Sequence, residues 1–147
     1  MGALSDLLGK RVYLDANVFL YALNAVPPFK GLTEELFKAG DAGSLSIWTS
    51  ELSIAEVLVT PFRKGDRSAE RECRLLLHSD GVKLTAVTQR ILEEAARIRA
   101  VVRALHLPDA IHLATAIQSG CDFMLTNDQH FRAAKAVPVM MLSEMVR

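Results

Sequence analysis

Cysteine is scarce in this chain: among 147 residues there are two, Cys73 and Cys121, and their spacing suggests neither a metal knuckle nor a disulfide framework. Both read as reduced thiols of an intracellular protein, one of them in the core. An excess of one charge is also missing, because 17 basic and 17 acidic side chains cancel. That balance removes the overall basic character of many nucleic-acid binders, so any polyanion site has to be a local patch. No apolar run is long enough and free enough of charge to span a bilayer, and the amino terminus lacks the continuous apolar stretch of a signal peptide. Asp6 stands where a myristoylation signal requires serine or threonine. A soluble, cytoplasmic protein is expected. Repeats, linkers and low-complexity segments are absent as well.

What is present is material for a core. Half of the residues are hydrophobic, 50% by count, in a chain long enough to bury about two thirds of its unfolded surface. One domain over residues 1–147 is expected.

The stretch Val12-Tyr13-Leu14-Asp15-Ala16-Asn17-Val18-Phe19-Leu20 organises the rest. It has the pattern of a short apolar strand that ends in one carboxylate and turns at once into an apolar helix, which places Asp15 at the carboxyl edge of a sheet. The helix, over about 17–25, stops at Pro27-Pro28, because proline disfavours helical geometry in the residue before it. A polar helix over 32–39 and a strand over 45–49 follow, after which Ser50 can cap a helix that carries Glu56 in an otherwise apolar run. That helix is expected to end within 61–65, and Asp66 or Ser68 can cap the next. Strand composition returns over 82–87, and Thr88 can cap a long amphipathic helix with Ile91, Ala95, Ile98 and Val102 on one face. Leu107-Pro108 restarts a helix through Asp109 and His112, and Gly120 closes it. A strand over 123–126, a turn at Asn127-Asp128 and a last strand over 137–142 complete the chain. Strands that alternate with helices predict an α/β domain with a parallel sheet covered on both faces.

Asp15, Glu56, Asp109 and Asp128 each stand near the start of a helix. Taken singly, each has a plain explanation, since a carboxylate there satisfies orphan N–H groups and complements the helix dipole for about 0.3–1 kcal/mol. Taken together they mean more, because right-handed crossovers bring every strand-to-helix turn to the same edge of a parallel sheet. Two bare carboxylates about 4 Å apart repel by about 4 kcal/mol at an effective dielectric of about 20, so such a cluster requires protons or a cation. Oxygen-only ligands suit the hard ions Mg²⁺ or Mn²⁺ better than Zn²⁺. These ions hold phosphates and activate water for in-line attack, which on nucleic acid is phosphodiester hydrolysis. Asn17 and Thr126 are candidate hydrogen-bond partners for the carboxylates or for metal-bound water, with helix capping and a strand-end hydroxyl as their plainer roles.

These residues resemble a known family, the PIN-domain ribonucleases, and within it the VapC-type toxins of prokaryotic toxin–antitoxin pairs. The matching pieces are Tyr13-Leu14-Asp15-Ala16-Asn17-Val18, Ser53-Ile54-Ala55-Glu56-Val57, Leu107-Pro108-Asp109-Ala110-Ile111-His112-Leu113-Ala114-Thr115-Ala116, and Leu125-Thr126-Asn127-Asp128 with Phe131 close behind. They occur in the family's order and span nearly the whole chain. The resemblance implies a parallel sheet of about five strands with helices on both sides, and a Mg²⁺- or Mn²⁺-dependent endoribonuclease site. Carried over by position, Asp15 and Asp109 would be the principal metal ligands, while Glu56 and Asp128 would complete the site and orient water. Thr126 falls where the family often has a hydroxyl residue. The resemblance further implies a homodimer, an antitoxin whose tail covers the active-site groove, and an RNA target that in this family is a transfer RNA, a ribosomal loop or a messenger RNA.

Several other features have two explanations. Arg63, Lys64, Arg67, Arg71 and Arg74 can contact RNA phosphates, but Glu70 and Glu72 interleave with them and favour a solvated, salt-bridged face. Lys30 is a similar candidate. His112 lies three residues after Asp109 on one helix face, with His106 and His130 near Asp109 and Asp128, yet none makes a recognised ligand pair. Trp48 is expected in the core. Two alternative functions remain in view: a non-catalytic PIN-like domain that binds RNA or protein, and a Mg²⁺-dependent phosphatase with Asp15 as nucleophile. The phosphatase pattern wants a second aspartate two residues on, where this chain has Asn17.

Overall fold

The computed structural model describes residues 2–146. Five strands, β1 (Arg11–Leu14), β2 (Ser46–Ser50), β3 (Val82–Thr85), β4 (Phe123–Thr126) and β5 (Val139–Met141), form one sheet in the order β3-β2-β1-β4-β5. Every neighbouring pair is parallel, as the alternation of strands and helices predicts. The helices are α1 (Ala16–Leu23), α2 (Lys30–Asp41), α3 (Leu52–Lys64), α4 (Arg67–Leu77), α5 (Gln89–Val101), α6 (Leu107–Gln118) and α7 (Leu142–Met145), with 3₁₀ turns over Gly2–Leu7 and Gln129–Ala133.

Because successive strand residues point to opposite faces, β1 serves two cores. Val12 and Leu14 pack with Ile47, Leu125 and the apolar sides of α1, α2, α3 and α4. Tyr13 turns the other way and joins Leu113, Met124 and Phe131. On that second face α5 lays Ile91 and Ala95 against Ala110, Ile111 and Ala114 of α6, the stripe expected from its spacing.

Strand β1 lies at the centre. From it the chain steps outward through β2 and β3, then returns to add β4 and β5 on the other side. The order therefore reverses between β1 and β4, and at such a point two neighbouring strand-to-helix turns diverge and open a crevice at the carboxyl edge. Asp15 follows β1 there, and Thr126 ends β4 beside it.

Helix α3 runs through Pro61 to Lys64 and stops at Gly65, within the span expected for its end; the φ of 63° at Gly65 is left-handed. Proline leaves the carbonyl four residues back without its usual donor; here that carbonyl is Val57's, and the Cys73 thiol approaches it at 4.0 Å. Asp66, rather than Ser68, caps α4 by accepting from the Ala69 N–H. The Ser50 hydroxyl does meet the start of α3, accepting from the Leu52 N–H at 3.0 Å.

Candidate functional site

Asp15 ends β1 and begins α1, so the same residue that stops the strand caps the helix. Its Oδ1 accepts from the Val18 N–H at 3.4 Å, while Oδ2 accepts a 2.6 Å hydrogen bond from the Thr126 hydroxyl. The side chain is buried, with 4% of the residue exposed. Burial pushes its carboxyl from 3.8 up to about 6, even though the Thr126 hydroxyl and the nearby His112 pull the other way; Glu56 adds like-charge repulsion. Thr126 is itself fully buried and also accepts from the Asp128 N–H at 3.0 Å. One hydroxyl thus ties the turn after β1 to the turn after β4.

Glu56 leaves α3 toward the same edge and meets His112 of α6. Its Oε1 lies 2.6 Å from Nε2 of the ring. The other ring nitrogen, Nδ1, lies 2.6 Å from the Tyr13 hydroxyl, and that oxygen accepts from the Ser50 N–H at 3.1 Å. With Glu56 ionised and the ring neutral, the Nε2–H donates to the carboxylate and Nδ1 accepts from the phenol O–H. Burial raises the Tyr13 hydroxyl well above its ordinary range, so the phenol stays protonated and able to donate. Both nitrogens of His112 are occupied, which leaves the ring no atom for a metal and accords with its weak candidacy as a ligand.

Asp109 and Asp128 are engaged locally. Asp109 Oδ2 accepts from the His106 N–H at 3.2 Å, closing the first turn of α6. Asp128 Oδ1 accepts from the His130 N–H at 2.9 Å and pairs with the His130 ring at 2.8 Å. Asn17 is exposed on the first turn of α1 and makes no hydrogen bond to the four acids among the described residues. Asn127, which sequence reasoning treated only as a turn, locks the edge instead: its Oδ1 accepts from the Ser143 N–H at 3.0 Å and joins the end of β4 to α7.

The structure therefore links Asp15, Glu56, His112 and Thr126 around the switch point, and holds Asp109 and Asp128 in caps at neighbouring helix starts. The donor chemistry, oxygen atoms of carboxylates, fits Mg²⁺ or Mn²⁺. The arrangement does not yet make a cage: among the described residues no three His, Cys, Asp or Glu side chains converge as a metal group. A cation would have to draw carboxylates away from their caps, each cap being worth about 1 kcal/mol.

The basic residues of α3 and α4 are exposed, and Arg74 pairs with Glu70 at 3.2 Å while lying over the Phe62 ring, as a salt-bridged face requires. Trp48 is half-buried in β2, with Arg11 at 5.0 Å and Lys83 at 5.8 Å from its ring centre. No described helix is long and apolar enough to cross a membrane.

The PIN domain family model matches residues 12–137, a span that runs from within β1 to beyond β4 and contains all four acids. The chain belongs to the PIN domain family. Solved PIN-like structures place the same fold in named systems. VapBC2 from Rickettsia felis, bound to a DNA fragment from its promoter, gives a TM-score of 0.70 at 15% identity over 89% of this chain and 98% of that one. VapC20 of Mycobacterium tuberculosis, a toxin that cleaves the sarcin–ricin loop, gives 0.67 at 21% identity over 84% and 95%. A toxin–antitoxin complex from Klebsiella pneumoniae gives 0.65 at 21% identity over 89% and 97%. At these identities the likeness is one of fold. No curated protein sequence matches this PIN domain.

Proposed function

We propose that this PIN domain is a Mg²⁺- or Mn²⁺-dependent endoribonuclease that hydrolyses RNA phosphodiester bonds, and that it is the toxin of a toxin–antitoxin pair. The observation that carries the reading is Asp15: a carboxylate buried at the switch point of a parallel sheet, its pKa raised to about 6, with Glu56 near enough to repel it. A purely structural cap has no need of that burial, whereas a cation would relieve it.

Asp15, Glu56, Asp109 and Asp128 are the residues that would hold the ion. Bound there, the ion would polarise a phosphoryl oxygen and lower the pKa of a water for in-line attack. The chain's own part is orientation. Thr126 pins one oxygen of Asp15 and so joins the β1 and β4 turns, while the Asp128 N–H holds the same hydroxyl in place. Asp109 and Asp128 keep their carboxyl groups at helix starts whose N–H groups favour negative charge, including that of a phosphate.

The toxin reading also includes partners. Structural neighbours described as toxin–antitoxin complexes support an antitoxin protein for this chain. The exposure of Val59, Phe62 and Leu75 on the successive helices α3 and α4 is the support for a homodimer. We place the protein in the cytoplasm with its RNA, the whole of residues 1–147 acting as one nuclease domain.

The capping of Asp109 and Asp128 favours a second reading, a PIN-like domain that binds RNA or protein without cutting it. A phosphatase with Asp15 as nucleophile has less support, since exposed Asn17 supplies no second carboxylate. Incubation with mixed cellular RNA separates these. The nuclease reading expects cuts with Mn²⁺ or Mg²⁺ that vanish with chelator and in Asp15→Asn. Wild type and variant equally inert in every metal, with RNA still bound as tightly or more tightly by Asp15→Asn, would establish the binder.

A further inference from the structure

We propose that His112 is a positioning residue of the acidic site: through the chain Ser50–Tyr13–His112–Glu56 it fixes the Glu56 carboxylate at the edge where Asp15 lies, without itself ligating the ion. The proposal rests on the metal-dependent nuclease reading and adds a role that reading leaves empty.

Glu56 needs a restraint. Its side chain is 34% exposed on the surface of α3, and a glutamate there would rotate freely among solvated conformers. Reactive groups have to be held to within a fraction of an ångström, so a freely rotating carboxylate is a poor ligand or water-orienting group. Among the described residues, the side chain that restrains it is His112, at 2.6 Å. That imidazole is only 3% exposed and has no room to follow Glu56 outward.

What restrains His112 lies deeper still. Tyr13 holds Nδ1 at 2.6 Å and packs edge-on to the ring, with centroids 5.7 Å apart. Tyr13 in turn receives the backbone N–H of Ser50 at the end of β2. The chain of bonds thus starts on sheet backbone and ends on the acid, and every proton in it has one donor and one acceptor. Tyr13 also lies two residues before Asp15 on β1, so the same strand that presents Asp15 anchors the support for Glu56.

Two substitutions of similar polarity separate the roles, because their amides reach different places. The His112→Gln amide extends to the Nε2 position and can still donate to Glu56; the His112→Asn amide stops near Nδ1 and keeps only Tyr13. Mn²⁺ affinity, followed by the electron paramagnetic resonance of the free ion, and kcat and KM on RNA are measured for wild type and both variants, with thermal melts alongside. Outer-shell partners of metal ligands change affinity or activity about 10–100-fold. We expect a loss of that size in Mn²⁺ affinity and kcat for His112→Asn, with KM little changed, and losses within about threefold for His112→Gln, since it retains the Glu56 bond. If wild type binds Mn²⁺ and cuts RNA while the two variants match each other, the positioning role is overturned and the nuclease reading survives. If wild type neither binds Mn²⁺ nor cuts, the nuclease reading falls and takes the proposal with it.

Discussion

The carboxyl of Asp15 titrates at about 6 in the folded chain, against 3.8 ordinarily, chiefly because burial disfavours its charge. The consequence for stability follows from linkage. Below 3.8 the group is protonated in both the folded and the unfolded chain, and nothing is lost. Between 3.8 and 6 the unfolded chain releases its proton first, so rising pH favours unfolding, and above 6 the full penalty is present. At about 1.4 kcal/mol per unit that penalty is on the order of 2–3 kcal/mol. Asp15→Asn keeps a side chain that can cap α1 and removes the charge. Metal-free Asp15→Asn is therefore expected to melt higher than wild type at pH 8, with the gap shrinking toward pH 4; equal melting temperatures at pH 8 would show that the buried charge is already compensated. The same residue is thus expected to be worse for stability and necessary for chemistry, the usual mark of a functional group in a strained setting.

Among the elements, the end of α2 and the turn before β3 approach closely. A Cβ on Gly81 would sit 2.6 Å from Asp41 Oδ1 and 2.8 Å from both the Asp41 nitrogen and the Gly40 carbonyl carbon. Backbone cannot rotate aside as a side chain can, so Gly81→Ala is expected to destabilise by about 1–3 kcal/mol, the usual cost of overpacking, in a denaturant titration that leaves metal binding at the far edge intact. This contact was invisible in sequence, because it joins two segments by shape and carries no pattern. The strands and helices themselves were legible, since each short apolar run ends in a capping residue: Asp15, Asp66 and Thr88 cap in the structure as their positions suggest. The end of α3 was legible too: it lies at Lys64, within the span expected, with Pro61 accommodated in the last turn. That each of the four acids stands near a helix start could be read from spacing, but the orientation of its carboxyl group could not. Asp109 and Asp128 turn back on their own helices, and the Tyr13–His112–Glu56 chain joins three elements through side-chain geometry. The available signal was modest: Tyr13 and Asp15 share a strand face, and His112 follows Asp109 by one helical turn.

At the scale of the whole molecule, the sheet divides its work. One edge gathers the turns that hold Asp15, Thr126 and Asp128, while α3 and α4 present Val59, Phe62 and Leu75 to solvent on their outer surface. If that surface joins two copies, Phe62→Asp is expected to shift the protein to monomer in light scattering without lowering Mn²⁺ affinity; an unchanged mass would assign the dimer, if any, to another face. The edge matters most, because the structure shows carboxylates serving as caps where the proposed reaction needs them around a cation. Mn²⁺ titration of wild type, Asp15→Asn and Asp109→Asn tests this directly. Since even outer-shell changes weaken metal sites about tenfold or more, wild type is expected to bind saturably and each variant to lose affinity by at least about that factor. Equal affinity in all three proteins, or no binding by wild type, would contradict it.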